Sequence, residues 1–253
     1  MRIIPGLSHP IRLSEVQRWD SGVSSLNTVL GGGLAGGCVH EVYTGETGDA
    51  AAAAGFAVAL TAGMASTGRE VMWLRLRRLQ GTAGCIQASG WAELGGMPGC
   101  GLIAVLPDAM ALLHAAVDAL RSPSLGAVIV ESWGPMRELD LTVSRRLALA
   151  AEKSGVPLLL LRIDAAPVPS AAQTRWQVTA APSRALPGNA PGSPCFDVTL
   201  LRQRSGPCGL SWRLEWDRDQ CRFREAPLSG AVVPVSAGRP AADRTGETSR
   251  EAA

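Results

Sequence analysis

One stretch constrains the fold more than any other: residues 39–65, VHEVYTGETGDAAAAAGFAVALTAGMA. It is an apolar run of strand length, a loop of small residues and an alanine-rich run of helix length. A strand that turns through a glycine loop straight into a helix is the outline of a phosphate-binding loop, where backbone amides and the helix N-terminus face the anion. The working pattern, G-x-x-x-x-G-K-[ST], also needs a lysine to neutralise the phosphates and a hydroxyl for Mg²⁺. Started at Gly45, it places Ala50, Ala51 and Ala52 at the Gly, Lys and Ser/Thr positions; started at Thr44, it places Asp49, Ala50 and Ala51 there. No register supplies the lysine. Gly45, Gly48, Ala50 and Ala51 therefore read as a degenerate loop, and the expectation is a nucleotide-binding fold without cofactor or metal.

The rest of the chain repeats the strand–helix alternation. Residues 1–19, with Pro5 and Pro10, read as an N-terminal arm. Leu26, Val29 and Leu30 share one face of a short helix that stops at Gly31, Gly32 and Gly33. Strands are expected at 38–43, 70–76, 102–107, 125–132 and 156–163. The glycine-rich segment 77–101 is expected to hold one short helix around 87–94. Asp108 can cap a helix with Met110, Leu113, Val117 and Leu120 on its buried face. A second helix, 138–155, carries Leu141, Leu147 and Ala148 at helical intervals and ends at a glycine. Strands apolar along their whole length belong to a parallel sheet covered on both faces, so the fold class is α/β. Residues 164–195 are proline-rich and read as a long loop. Residues 196–217 form an antiparallel hairpin around the turn SGPCG. The organisation is then an arm (1–19), one domain (20–225) and a disordered tail (226–253).

Composition narrows the function classes. The chain has 253 residues, 46% of them hydrophobic, enough for a buried core, and its net charge of +2 is too mild to argue nucleic-acid binding by itself. All 24 basic residues but Lys153 are arginine. The six cysteines show no C-x-x-C and no close pairing with histidine, so a metal site is not expected, and without a leader they read as reduced thiols of a cytoplasmic protein. The uncharged run 50–65 is too short and too rich in alanine for a membrane span. His9, His40 and His114 form no catalytic constellation, and no serine lies in a nucleophile-elbow pattern.

The segment SGVSSLNTVLGGGLAGGCVHEVYTGETG resembles the entry to the core of RecA-type recombinases: a short helix, a glycine turn and a strand ending at the phosphate loop. GAVIVES is similar to that family's Walker B strand, with Glu131 where an Asp is expected. RRLALAAEKSGVPLLLLR is similar to the following helix and strand, and VTLLRQRSGPCGLSWRLEW to the late hairpin. The match runs over residues 20–223. Within the superfamily, the lost lysine, the segment AAQTRWQVTAAPS and a hairpin ending WRLEW look most like the ImuA-type mutagenesis proteins. That resemblance implies a RecA-like core with a mostly parallel sheet. It also implies a non-enzymatic role in a damage-inducible (SOS) error-prone translesion DNA synthesis complex. The partners implied are a Y-family-polymerase-like subunit and an error-prone replicative-type polymerase, with RecA and direct DNA contact left open.

Three groups of residues follow as candidates. Glu131 ends a central strand, where a ligand group sits in open α/β sheets, or else it pairs with an arginine. Arg75, Arg77 and Arg78 stand where an active RecA-type ATPase carries a glutamate, and could form an anion-binding or partner surface or else a solvated strand end. Arg162, Arg175, Arg184, Arg202 and Arg204, with Trp176 among them, are expected in the late loop and hairpin as a protein or DNA contact surface. A residual RecA-type ATPase and a single-stranded-DNA binding module are the alternatives to the accessory role.

Overall fold

The computed structural model describes residues 17–65, 68–97 and 99–226. The expected tail beyond Ala226 and the arm up to residue 16 lie outside the described residues. What is described of the arm pairs with the core: β1 (Arg18–Trp19) runs antiparallel to β2 (Leu34–Ala35), on either side of the short helix α1 (Ser24–Val29).

The remaining strands are β3 (Val39–Tyr43), β4 (Glu70–Leu76), β5 (Gly101–Leu106), β6 (Leu125–Trp133), β7 (Leu158–Ile163), β8 (Thr174–Ala180), β9 (Cys195–Gln203), β10 (Leu210–Asp217) and β11 (Arg222–Glu225). They form one sheet in the order β11-β10-β9-β8-β3-β7-β6-β4-β5. From β5 to β8 every pairing is parallel; from β8 to β11 every pairing is antiparallel. Helix α2 (Ala50–Met64) covers what we call the inner face. Helices α5 (Ala109–Leu120) and α6 (Leu141–Ser154) cover the outer face of the parallel half, while α3 (Leu79–Ala83) and α4 (Ala88–Glu93) follow β4. No helix among the described residues is long and apolar enough to cross a membrane.

The two halves differ as their sequences do. Central parallel strands are wedged between helices, so β7, LLLLRI, is buried at every position. The antiparallel strands alternate: Trp176 and Val178 of β8, Phe196, Val198 and Leu200 of β9, and Trp212, Leu214 and Trp216 of β10 point inward, and polar residues stand between them. Their inward rings meet Phe56 of α2, which lies 5.5 Å from Phe223 and 5.7 Å from Phe196 between ring centroids. Each such pair adds roughly 0.5–1.5 kcal/mol beyond the area it buries. The alanines beside Phe56 let α2 approach the sheet closely. Gly63 does the same for Trp19, whose ring would lie 2.3 Å from a Cβ at that position.

Several expectations change here. Residues 164–195 are not one loop, because TRWQVTA forms β8, a central strand between β3 and β9. β11 extends the hairpin to a third strand. On α5 the buried residues are Leu112, Leu113, Ala116, Ala119 and Leu120, whereas Met110 is 51% exposed; a helix apolar nearly all round does not fix its own phase. Asp108 does cap it, accepting from the Ala111 amide at 2.8 Å. α6 starts at Leu141 rather than residue 138, because the Asp140 carboxylate accepts from the Val143 amide at 2.7 Å, and Leu141 itself is exposed. It ends at Gly155, whose φ of 77° suits a residue without Cβ.

Candidate functional site

The degenerate loop joins β3 to α2 through a single 3-10 turn, Thr47–Asp49. Neither Gly45 nor Gly48 has a positive φ, and a Cβ at Gly48 would meet nothing within 4 Å, so the fold does not demand glycine there. Asp49 sits at the N-terminus of α2 and accepts from the Ala180 amide of β8 at 2.8 Å. Asp49 therefore sets a negative charge beside the positive end of the helix dipole, held by β8 rather than by the helix amides, and that charge opposes a phosphate there. Exposed Glu46 adds a second negative charge beside it.

Next to this loop, between α2 and the sheet, is a cavity of about 500 Å³. Ala51, Ala54 and Val58 of α2, Ile86 and Trp91 around α4, and Leu161 of β7 give it an apolar wall. Its charged part is one ion pair. Alternation along β4 and β6 turns Trp73, Arg75 and Glu131 toward the inner face, and Arg75 and Glu131 are direct partners across the parallel ladder. The Arg75 guanidinium donates from Nη2 to Glu131 Oε1 at 3.3 Å and from Nη1 to the Gly84 carbonyl at 2.9 Å. Glu131 also accepts from the indole N–H groups of Trp73 and Trp133, each at 2.9 Å. Both charged side chains are less than a tenth exposed. The carboxylate that resembles a Walker B acid thus has three donors of its own chain upon it.

Arg75 is in this way parted from Arg77 and Arg78, which are exposed beyond the strand end, so the three do not form one basic surface. The late-region candidates divide too. Arg162 is buried on β7, and Trp176 is only 2% exposed, within the aromatic core. Arg184 is exposed on the connection between β8 and β9. Arg175, Arg202 and Arg204 do come together, on the outer face, since Arg175 of β8 is the ladder partner of Arg202 of β9. They line a cleft with Arg145 of α6, which composition and periodicity could not have singled out. Glu41 of β3, also unforeseen, accepts from Arg175 Nε at 2.8 Å.

His40 is wholly buried, its Nδ1 2.7 Å from Thr174 Oγ1 and its Nε2 2.8 Å from the Ala35 carbonyl. Burial pushes it down to about 4, so at neutral pH it is an uncharged tie between β2, β3 and β8. Burial also raises the Cys195 thiol, and no cluster of metal ligands occurs among the described residues.

No protein-family model matches the chain, and no curated protein matches it. Among solved structures, the RadB recombinase superimposes with a TM-score of 0.53 at 14% identity, over 83% of this chain and 100% of that one. The fold is RecA-like. The expected α/β class stands with it: a RecA-like core with a mostly parallel central sheet, helices on both faces and antiparallel strands at the C-terminal end.

Proposed function

We propose that the chain is a non-enzymatic RecA-like accessory protein that works through protein–protein contacts in a damage-inducible, error-prone translesion DNA synthesis complex. The observation that carries the non-enzymatic part is the state of Glu131. A Walker B carboxylate acts by holding the shell of a magnesium ion and orienting water, which needs free lone pairs facing the phosphates. Here both oxygens are already engaged, and three of the roughly four lone-pair positions accept from Arg75, Trp73 and Trp133. No lysine lines the cavity, and the helix N-terminus beside it already has Asp49.

The place in translesion synthesis rests on the resemblance of the loop without its lysine, the segment AAQTRWQVTAAPS and the hairpin ending WRLEW to ImuA-type proteins. The partners are then a Y-family-polymerase-like subunit and an error-prone replicative-type polymerase. Titration with a fluorescent ATP analogue and magnesium tests the first part, with no saturable binding expected. Tight magnesium-dependent binding would overturn it in favour of a residual ATPase. Capture of tagged protein from damaged cells tests the second, by whether the two polymerase-related subunits come with it.

A further inference from the structure

The outer face of the sheet carries a second concavity that owes nothing to the nucleotide site. β8 pairs with β3 and not with β7, so the connection 164–173 must cross over β3 on its way down. It is held there by the Ala171 amide, which donates to Ser144 Oγ of α6 at 3.1 Å, and by Arg202 Nη1, which donates to the Ser170 carbonyl at 3.2 Å. Between this strap and α6 lies a cleft of about 640 Å³. Arg145, Arg175, Arg202 and Arg204 line it.

Among the described residues the positive charge of the cleft exceeds its carboxylates. Glu41 pairs with Arg175, but among the described residues none of Arg145, Arg202 and Arg204 comes within ion-pair distance of a carboxylate. Asp140, next to the rim residue Leu141, is engaged in capping α6. On the same face Arg162 is 2% exposed, and its Nε and Nη1 have no partner among the described residues. Arg162 and Arg175 both lie over the Tyr43 ring, at 5.8 and 5.4 Å from its centroid. The cleft is thus a place where an anion gains and a cation loses.

Two anionic macromolecules could use it, and the lining separates them. Single strands of nucleic acid are held by stacking bases on exposed aromatic rings as well as by phosphate contacts. Here Tyr43 and Trp176 are each 2% exposed, and among the described residues no aromatic ring lines the cleft. What is exposed instead is aliphatic: Leu141 at 38% and Val168 at 39%, with Pro167 and Pro169 stiffening the strap between them. Arginine forks beside aliphatic side chains fit a peptide in which acidic and apolar residues alternate.

We propose that this cleft docks an acidic segment of a partner protein. Its carboxylates engage Arg145, Arg202 and Arg204, and an apolar side chain rests against Leu141 and Val168. The proposal rests on the reading that the chain acts through protein contacts. It is tested on the full chain by fluorescence anisotropy with two probes: a short labelled peptide of alternating glutamate and leucine, and an oligodeoxythymidylate of equal length. We expect saturable peptide binding that weakens with salt, and a loss of about tenfold or more in affinity in the Arg202→Glu/Arg204→Glu variant. The Arg77→Glu/Arg78→Glu variant, reversed outside the cleft, should bind as the parent does, and urea midpoints should show both variants folded. Peptide binding that is absent or equal in all three proteins would overturn the proposal. So would oligonucleotide binding that is the tighter of the two and is lost in the cleft variant. The nucleotide titration is independent: tight ATP binding would sink the accessory reading with the peptide result standing, and a failed peptide titration without ATP binding would sink the cleft alone.

Discussion

The inner cavity and the outer cleft are opposite sides of the same strands. In β7, Leu161 lines the cavity and its neighbour Arg162 lies on the outer face; in β3, Val42 packs inward and Glu41 faces out to Arg175. Inside, the one ion pair is roofed by indoles and every oxygen of Glu131 has a donor. Outside, arginines outnumber their carboxylate. The difference teaches that one sheet can settle its charge in two ways: the inner face pairs its arginine with a carboxylate, and the outer face leaves charge over, which is where the proposed acidic segment would gain something.

If the inner face is core, its rings must carry stability. The largest effect is therefore expected from Trp176→Ala. It removes a ring 6.5 Å from Phe56 and 6.4 Å from Trp212 and should cost about 3–5 kcal/mol. Urea unfolding monitored by circular dichroism reads this directly. A cost as small as that of a surface residue would return Trp176 to the working surface suggested by its sequence neighbours.

The ion pairs sharpen the same contrast. Glu131→Leu should cost about 3 kcal/mol, since it leaves the buried Arg75 charge without its carboxylate, with only the Gly84 carbonyl as acceptor, and takes the acceptor from the indole N–H groups of Trp73 and Trp133. The double variant Arg75→Met/Glu131→Leu should recover much of that loss, and the coupling is read from the four urea midpoints. On the outer face, Arg213 and Asp197 pair at 2.7 Å with side chains 26% and 40% exposed, and the same cycle there should give less than about 1 kcal/mol. Equal couplings on the two faces would break the comparison.

His40 offers a pH test of the inner face. Its folded pKa of about 4 lies below the ordinary 6.5, so the unfolded chain binds the extra proton between those values. Stability from this group is then fully present above about pH 6.5 and falls as the pH drops towards 4, by on the order of 3 kcal/mol. Carboxylates titrate in part of that window, so the quantity to measure is the slope difference between the parent and His40→Gln. An unchanged slope would mean that the imidazole is not held neutral by burial.

How much of this was legible in the sequence follows from which strands are buried on both faces. β4, β6 and β7 are largely apolar runs and β3 leads straight into the small-residue loop, and so they stand out, as does the hairpin with its glycine turn. β8 reads as part of a loop because TRWQVTA is half polar and lies in a proline-rich stretch. The signal was there in the period of two, Trp176 and Val178 against Arg175 and Gln177. At the cavity, the spacing of Trp73 and Arg75, and of Glu131 and Trp133, already put each pair on one face of a strand. That the two strands are neighbours, with Arg75 opposite Glu131, is a matter of register that no local pattern carries. Arg145 had no signal at all, being one of two adjacent arginines on α6, Arg145 and Arg146.

The smallest effect concerns Asp49, the residue that joins the inner face to the edge of the cavity. Its carboxylate accepts from the Ala180 amide and lies at the positive end of α2, so Asp49→Ala should cost about 1 kcal/mol, the sum of one charge-assisted hydrogen bond and a helix-dipole interaction. Removing it also takes away a negative charge that opposes phosphate. If that charge were the main obstacle, the variant would gain binding of the fluorescent ATP analogue. We expect no gain, nor any in Asp49→Ala/Ala51→Lys, because Glu131 stays bound to Arg75, Trp73 and Trp133, with both of its oxygens engaged and its charge paired. Saturable, magnesium-dependent binding in the double variant would mean that the inner face is a dormant nucleotide site two substitutions from use, and would unmake the contrast between a spent face and a working one.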